Sequence, residues 1–127
     1  MGTDRTTRQI ALATAAGWLL ALGVNRCLRR VTGDSMRPAL EPGEVVVVVP
    51  AWLRRPRPGD VVVVTDPREP TRTVIKRVAA TGPAGLRVLG DNPAASTDSR
   101  TFGRLSGEQL RGWVPFALGL PPRWLGH

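Results

Sequence analysis

The sequence predicts a small, mainly β domain preceded by one transmembrane helix at its N-terminus. Two observations predict the β domain: runs of consecutive valines, and the Pro/Gly turns that separate these runs. A third predicts the helix, because residues 10–24 are uncharged and predominantly apolar and have Arg5 and Arg8 before them and Arg26 after them. At 127 residues the chain has room for one compact domain.

The N-terminal apolar segment is long enough to cross a membrane. Extended to residue 28 it covers 19 residues, which corresponds to a helix of about 28 Å against a bilayer core of about 30 Å. A cleavable signal peptide and a buried soluble helix are the alternatives. The segment runs into VNRCLRR with no small-x-small cleavage site, which favours a retained anchor. We therefore predict a flank at 1–9, a single-pass anchor at 10–28, and the lipid bilayer as a partner.

The character of the chain changes after Val31 to short strands between turns. Two uninterrupted valine runs, each preceded by a Pro-Gly turn, predict strands that are covered on both faces or threaded through a small barrel. The predicted strands are 44–49, 60–65, 71–80, 85–89 and 110–116.

Composition excludes several classes of site. Of the 18 basic residues all but one are Arg, and the net charge is +8, so the chain has either a compositional preference for Arg or an attraction to anionic lipids. Basic residues are not interleaved with aromatic ones as in nucleic-acid modules, so no nucleic-acid partner is expected. Cys27 is the single cysteine and His127, the last residue, the single histidine. A disulfide, a Cys-based metal cage and a Ser-His-Asp triad are therefore not predicted, and we expect no metal or cofactor.

The single lysine, Lys76, is informative in a chain that otherwise uses Arg. Only Lys can lose its proton near neutral pH when it is desolvated. Strand alternation places Val74, Lys76 and Val78 on one face, which would lower the pKa of the amine by burial. The alternative is a lysine on an edge strand that extends into solvent.

Two polar segments could surround this lysine. Gly33 and Asp34 precede Ser35, and Pro38 follows it, which describes a tight turn able to present the Ser35 hydroxyl. A serine in a turn is more often a hydrogen-bonding cap. Residues 90–100 form a polar loop, within which Asp98 and Arg100 could interact.

Taken together, these segments resemble the signal peptidase I family of serine proteases. The resemblance rests on GDSMRPAL at 33–40, RPGDVVVV at 57–64, IKRV at 75–78 and GDNPAASTDSRTFG at 90–103, in the family's order and spacing. It covers about residues 10–116 and implies an antiparallel, signal-peptidase-like catalytic domain, which we place at 31–120.

The resemblance also implies a role for each matching residue. Ser35 would be the nucleophile and Lys76 the general base. Ser96 would orient the lysine ammonium, and Asp98 and Arg100 would brace the site. The backbone N–H of Ser35 would form part of the oxyanion hole.

One position departs from part of the family. Some members carry a hydroxyl side chain two residues before the nucleophile, where this chain has Gly33, so the oxyanion hole is expected to rely on backbone groups. Gly33 and Asp34 are thus supporting residues of the turn. The substrate-binding residues are not predicted.

The short spacing between Lys76 and Gly90 resembles the compact branch of the family. That branch includes mitochondrial inner-membrane proteases and the maturation proteases of nickel-type superoxide dismutase. The predicted function is removal of an N-terminal leader or signal sequence from a precursor protein by a membrane-anchored Ser-Lys endopeptidase. A dedicated protease for a nickel-type superoxide dismutase precursor is the alternative among enzymes, and a membrane-tethered Arg-rich binding module is the alternative among non-enzymes.

The orientation in the membrane is predicted from the resemblance. The basic residues that flank the anchor slightly favour a cytoplasmic catalytic domain. The resemblance implies the outer face of the cell membrane. The two flanks differ by only one basic residue, so we follow the resemblance and predict the outer face.

Overall fold

A computed structural model describes residues 27–118 and 123–125, which form one antiparallel sheet. Its seven strands are β1 Leu28–Arg30, β2 Val45–Pro50, β3 Val61–Asp66, β4 Glu69–Ala80, β5 Arg87–Leu89, β6 Leu110–Leu118 and β7 Arg123–Trp124. The strands are accompanied by a short helix, α1 Ser99–Phe102, and by 3₁₀ turns at Ala51–Leu53, Pro93–Ala95 and Gly107–Gln109. The prediction of a mainly antiparallel β domain is confirmed.

Strand β6 organises the sheet, whose order is β1-β2-β6-β3-β4-β5 with β7 also on β6. One edge of β6 pairs with β2, and the other pairs first with β3 and then with β7. The change of partner occurs beside Pro115, where the β2–β6 register shifts from Val47↔Phe116 to Val49↔Trp113. Proline has no N–H to donate and is therefore accommodated at such a bulge. The carbonyl of Pro115 still accepts a hydrogen bond from Leu125 N at 2.9 Å.

The valine run of β3 is buried on both faces, as predicted. Val61 and Val63 belong to a core cluster with Met36 and Leu40. The alternate residues Val62 and Val64 belong to a second cluster, which also contains Val78, Leu86, Val88 and Leu105. Strand β4 pairs along β3 from Val61↔Arg77 to Thr65↔Thr73 and is therefore fixed to the most buried strand of the sheet.

The sheet extends beyond the predicted catalytic domain on both sides, since neither β1 nor β7 lies within residues 31–120. Leu28, assigned to the predicted anchor, instead begins β1 and pairs with Val47. Residues 10–26 of that anchor and the flank at 1–9 lie outside the described residues. Within 27–118 and 123–125, no helix has both the length and the apolar character needed to cross a membrane.

The strand predicted at 85–89 is shorter in the structure, because Gly85 and Leu86 contact Leu105 instead of pairing with β4. Leu86 forms an isolated bridge with Leu105, and Gly85 has φ +108°. A Cβ on Gly85 would lie 2.5 Å from the Leu105 carbonyl oxygen, so the close approach of the two chains requires glycine. Regular pairing therefore begins only at Arg87.

Candidate active site

Ser35 lies in a turn that is fixed by the residues after it. Gly33 enters the turn with φ +76°, a left-handed conformation that favours glycine. Arg37 N donates to Asp34 O at 3.2 Å, and Leu40 N donates to Met36 O at 2.9 Å. Met36 is 1% exposed, so the residue next to Ser35 is held in the core. Ser35 itself stays half-buried, with its hydroxyl toward β4.

The structure brings the two residues of the predicted dyad into contact. Lys76 Nζ donates a hydrogen bond to Ser35 Oγ at 2.8 Å, although the residues are 41 positions apart. Lys76 lies in β4 and is 3% exposed. Val74 and Val78, its neighbours on the same face of the strand, pack in or against the second core cluster. The burial predicted from strand alternation is therefore present.

Burial is the main reason why the pKa of Lys76 is lowered from its ordinary value. The negative charge of Asp98 opposes this shift, whereas the positive charges of Arg72 and Arg100 add to it. A buried amine near one carboxylate and two guanidinium groups is more readily neutral than an exposed lysine. Only the neutral amine can accept a proton.

Asp98 is the polar centre of the loop that follows β5. Its carboxylate, which is fully buried, accepts hydrogen bonds from Gly90 N at 2.8 Å, Ser96 Oγ at 2.6 Å and Arg100 Nε at 2.9 Å. Burial opposes ionisation of this carboxyl, but the hydrogen bonds from Arg100, Ser96 and Gly90 outweigh it and hold its pKa well below the usual range. The predicted contact between Asp98 and Arg100 is present.

Ser96 has a different partner from the one that the resemblance implied. Its hydroxyl donates to Asp98, and no hydrogen bond between Ser96 and Lys76 occurs among the described residues. In the described structure Ser96 is thus connected to Lys76 indirectly, through the carboxylate of Asp98, whose charge raises the pKa of the amine.

Asn92, which sequence reasoning did not single out, holds the peptide groups on both sides of Ser35. Its side-chain Nδ2 donates to Asp34 O at 3.1 Å, and its backbone N–H donates to Ser35 O at 2.8 Å. Gly90 allows this approach, since a Cβ there would lie 2.7 Å from Ser35 O and 2.1 Å from Ser96 Oγ. The sequence signal for Asn92 was the GDN motif, in which Gly90, two residues before Asn92, permits the loop to pack closely against Ser35.

A groove of ≈ 310 Å³ leads to Ser35 and Lys76. It lies between β1 and the first half of β4, whose residues 72–76 pair with β3 on one side only within the described part of the chain. The side chain of Arg29 extends from β1 to β4, where its Nη1 donates a hydrogen bond to Thr73 Oγ1 at 2.8 Å. The groove thus offers the edges of two strands to an extended peptide.

The described residues contain no group of three or more His, Cys, Asp and Glu side chains that could hold a metal ion.

Comparison with known proteins gives the chain a family. Residues 5–87, which include Ser35 and Lys76, match the family described as "Signal peptidase, peptidase S26". The mitochondrial inner membrane protease subunit 2 of Mus musculus is 33% identical over 122 residues, which cover 77% of this chain and 70% of the relative. The proteins of that name from Homo sapiens and Bos taurus are also 33% identical, with 70% and 69% of the relative covered. The chain therefore belongs to the signal peptidase family, peptidase S26, a family of serine peptidases.

Proposed function

We propose that this protein is a membrane-anchored serine endopeptidase in which Ser35 is the nucleophile and Lys76 the general base. Its substrate is a precursor protein from which it removes an N-terminal leader or signal sequence. The observation that carries the proposal is the 2.8 Å separation of Lys76 Nζ and Ser35 Oγ, together with the burial of the lysine. The same arrangement favours an enzyme over a binding module, because a buried lysine is costly unless it has a function or a partner.

The first half of the reaction is acylation. When Lys76 is neutral, the Ser35 O–H donates its hydrogen bond to Nζ and transfers its proton there as Oγ attacks the scissile carbonyl carbon. The C=O bond opens to an oxyanion, toward which the Ser35 backbone N–H is the natural donor. The Lys76 ammonium then gives its proton to the leaving amine. The C–N bond breaks, and the new ester joins Ser35 to the N-terminal fragment.

Deacylation reverses these proton transfers with water as the nucleophile. Lys76, again neutral, accepts a proton from the attacking water and returns it to Ser35 Oγ as the ester bond breaks. Asp98 remains ionised throughout, since its pKa is held low by Arg100, and its charge helps to stabilise the ammonium that forms on Lys76.

The groove and the N-terminus support the substrate and the location that we propose. A leader peptide in extended conformation would bind between the edges of β1 and β4 and reach Ser35, with displacement of the Arg29–Thr73 hydrogen bond that joins the two strands. The apolar segment that ends before β1, at 10–26, would tether the domain to the cell membrane as a single span, with the catalytic domain on the outer face. The relatives named as mitochondrial inner membrane proteases are in keeping with a membrane-bound peptidase.

The test compares Lys76→Arg and Ser35→Ala with the unaltered protein. Full-length proteins in neutral detergent micelles are incubated with a peptide library prepared from a cell lysate, and newly formed termini are identified by mass spectrometry. We expect both variants to lose cleavage, with a fall of about 10²–10⁴-fold for loss of the general base. Arginine cannot replace lysine here because guanidinium keeps its proton.

Arg87→Lys is the matched control, because Arg87 is exposed on β5 and lies outside the groove. It should cleave like the unaltered protein, and circular dichroism should show that all variants are folded. Near-normal turnover by folded Lys76→Arg would overturn the Ser-Lys mechanism.

A further inference from the structure

Three arginines make the groove beside the proposed dyad strongly positive. Arg29 and Arg30 line it from β1 and Arg72 lines it from β4, and all three side chains are exposed. Within residues 27–118 and 123–125 the ion pairs engage other arginines. The acidic residue that lines the groove, Asp34, pairs with Arg37 at 3.0 Å. The groove therefore has cationic side chains that form no direct ion pair with a carboxylate in the described part of the chain.

The position of Arg72 relates this charge to the scissile bond. Arg72 and Lys76 lie four residues apart on β4 and so share a face of the strand, about 13 Å apart at the backbone. Their charges interact, because Arg72 lowers the pKa of Lys76. An extended peptide bound along the β4 edge has about the same rise per residue as the strand itself. If its scissile bond lies at Lys76, a peptide side chain three to five positions away reaches Arg72.

We propose that the groove selects peptide substrates with an acidic side chain within about five residues of the scissile bond. This inference rests on the proposed peptidase function and adds the substrate class. A carboxylate can accept two parallel hydrogen bonds from a guanidinium, which matches Asp or Glu to Arg72 or Arg30. The acidic side chain of the substrate binds near Arg30 and Arg72 and away from Lys76. A carboxylate directly beside Lys76 would favour the protonated amine and so inactivate the base.

A lipid headgroup is a different anionic partner, and the geometry favours a peptide. The arginines are on the walls of a groove that continues to Ser35 and Lys76, and each wall is a strand edge that pairs with no other strand of residues 27–118 and 123–125 along the groove. Such edges bind an extended chain through main-chain hydrogen bonds. A headgroup would use the charge and leave the strand edges unpaired.

The experiment uses the full chain in neutral detergent micelles and the same lysate-derived peptide library. Cleaved sites that depend on Ser35 should be enriched in Asp and Glu within five residues of the scissile bond relative to the library. A synthetic peptide based on the best site, made with Asp and with Asn, should then show kcat/KM about 3–30-fold higher for Asp, a difference that decreases at high salt. The advantage should disappear in the double variant Arg30→Gln/Arg72→Gln and persist in the matched control Arg87→Gln.

The outcomes separate this inference from the function on which it rests. Ser35-dependent cleavage without acidic enrichment, or an Asp advantage that survives in the double variant, overturns the groove proposal and leaves the dyad intact. Absence of any Ser35-dependent cleavage overturns the peptidase function itself. Binding to phosphatidylglycerol vesicles that falls in the double variant, with unchanged peptide selectivity, would assign the arginines to lipid and overturn the inference.

Discussion

At the scale of single residues, the site depends on an amine that the fold keeps out of water. Lys76 is 3% exposed, lies between Val74 and Val78 on one face of β4, and contacts the hydroxyl of Ser35. Desolvation costs stability when the group is charged, so the burial that would suit Lys76 to act as a base also weakens the domain. The carboxylate of Asp98 offsets part of this cost.

The stability cost predicts that Lys76→Met is inactive but more stable at neutral pH. Because the pKa of Lys76 is lowered in the folded state, the unfolded chain binds more protons between the two pKa values, and stability rises with pH there. Methionine removes the titrating group and fills a similar volume. Thermal unfolding at pH 7 should show a higher Tm for Lys76→Met, by about 4–8 °C for each kcal/mol gained. The difference in Tm between Lys76→Met and the unaltered protein should decrease toward pH 10. A Tm of Lys76→Met below that of the unaltered protein at pH 7 would contradict a stability cost of burying the lysine.

The pH dependence of cleavage follows from the same shift. Because the neutral amine is the active form, kcat/KM should rise with pH along a single limb whose midpoint lies below the ordinary lysine value of about 10.4. Arg72→Gln removes a positive neighbour and should move the midpoint upward, whereas Arg87→Gln should leave it in place. The measurement is kcat/KM on one synthetic peptide from pH 6 to 10. A profile that falls with pH would contradict Lys76 as the base.

At the scale of elements, the loop after β5 connects β4, which carries the proposed base, to the turn that carries the proposed nucleophile. Arg77 of β4 binds both carboxylate oxygens of Asp91, at 2.9 and 3.0 Å. The next residue, Asn92, holds the peptide groups on both sides of Ser35. One short segment thus sets the distance between β4 and the turn.

This connection predicts that Asn92 positions the oxyanion donor. The Asp34 carbonyl and the Ser35 N–H belong to one trans peptide and point in opposite directions, so a donor on the carbonyl fixes the direction of the N–H. Asn92→Ala should lower kcat about tenfold, with little change in KM, because the oxyanion forms only in the transition state. Asn92→Asp should be worse, since a carboxylate would face the Asp34 carbonyl. A proportional rise in KM with unchanged kcat would indicate a role in substrate binding instead.

The elements that could be predicted from the sequence are those with a strong local pattern. The valine runs of β2 and β3 and the single lysine of β4 carry their signal in the residues themselves. Strands β1 and β7, of three and two residues, have no pattern of their own and exist because β2 and β6 offer edges to pair with. The hydrogen bond of Ser96 to Asp98 depends on how one loop folds on itself, which spacing does not specify.

At the scale of the whole molecule, the strand that follows the predicted anchor is part of the catalytic domain. Val48 N donates to Cys27 O at 2.6 Å, and Val31 N donates to Glu44 O at 2.7 Å, so the chain pairs with β2 from residue 27 onward. Val31 continues into the core, where it is 4% exposed. The segment that enters the domain is therefore a wall of the groove as well as a connection.

Truncation at two points tests this arrangement. Removing residues 1–26 leaves every described strand and both core clusters intact, so the shortened protein should fold, leave the membrane fraction and still cleave peptides at Ser35. Removing residues 1–30 also deletes β1, its hydrogen bonds to β2 and one wall of the groove. At about 0.5–1.5 kcal/mol for each hydrogen bond lost, this second protein should unfold at a lower temperature and show a higher KM. The measurements are membrane fractionation, Tm and kcat/KM for the full chain and both truncations. A full-length chain in the soluble fraction would contradict the anchor, and equal Tm and KM for the two truncations would show that β1 contributes neither to the sheet nor to the groove.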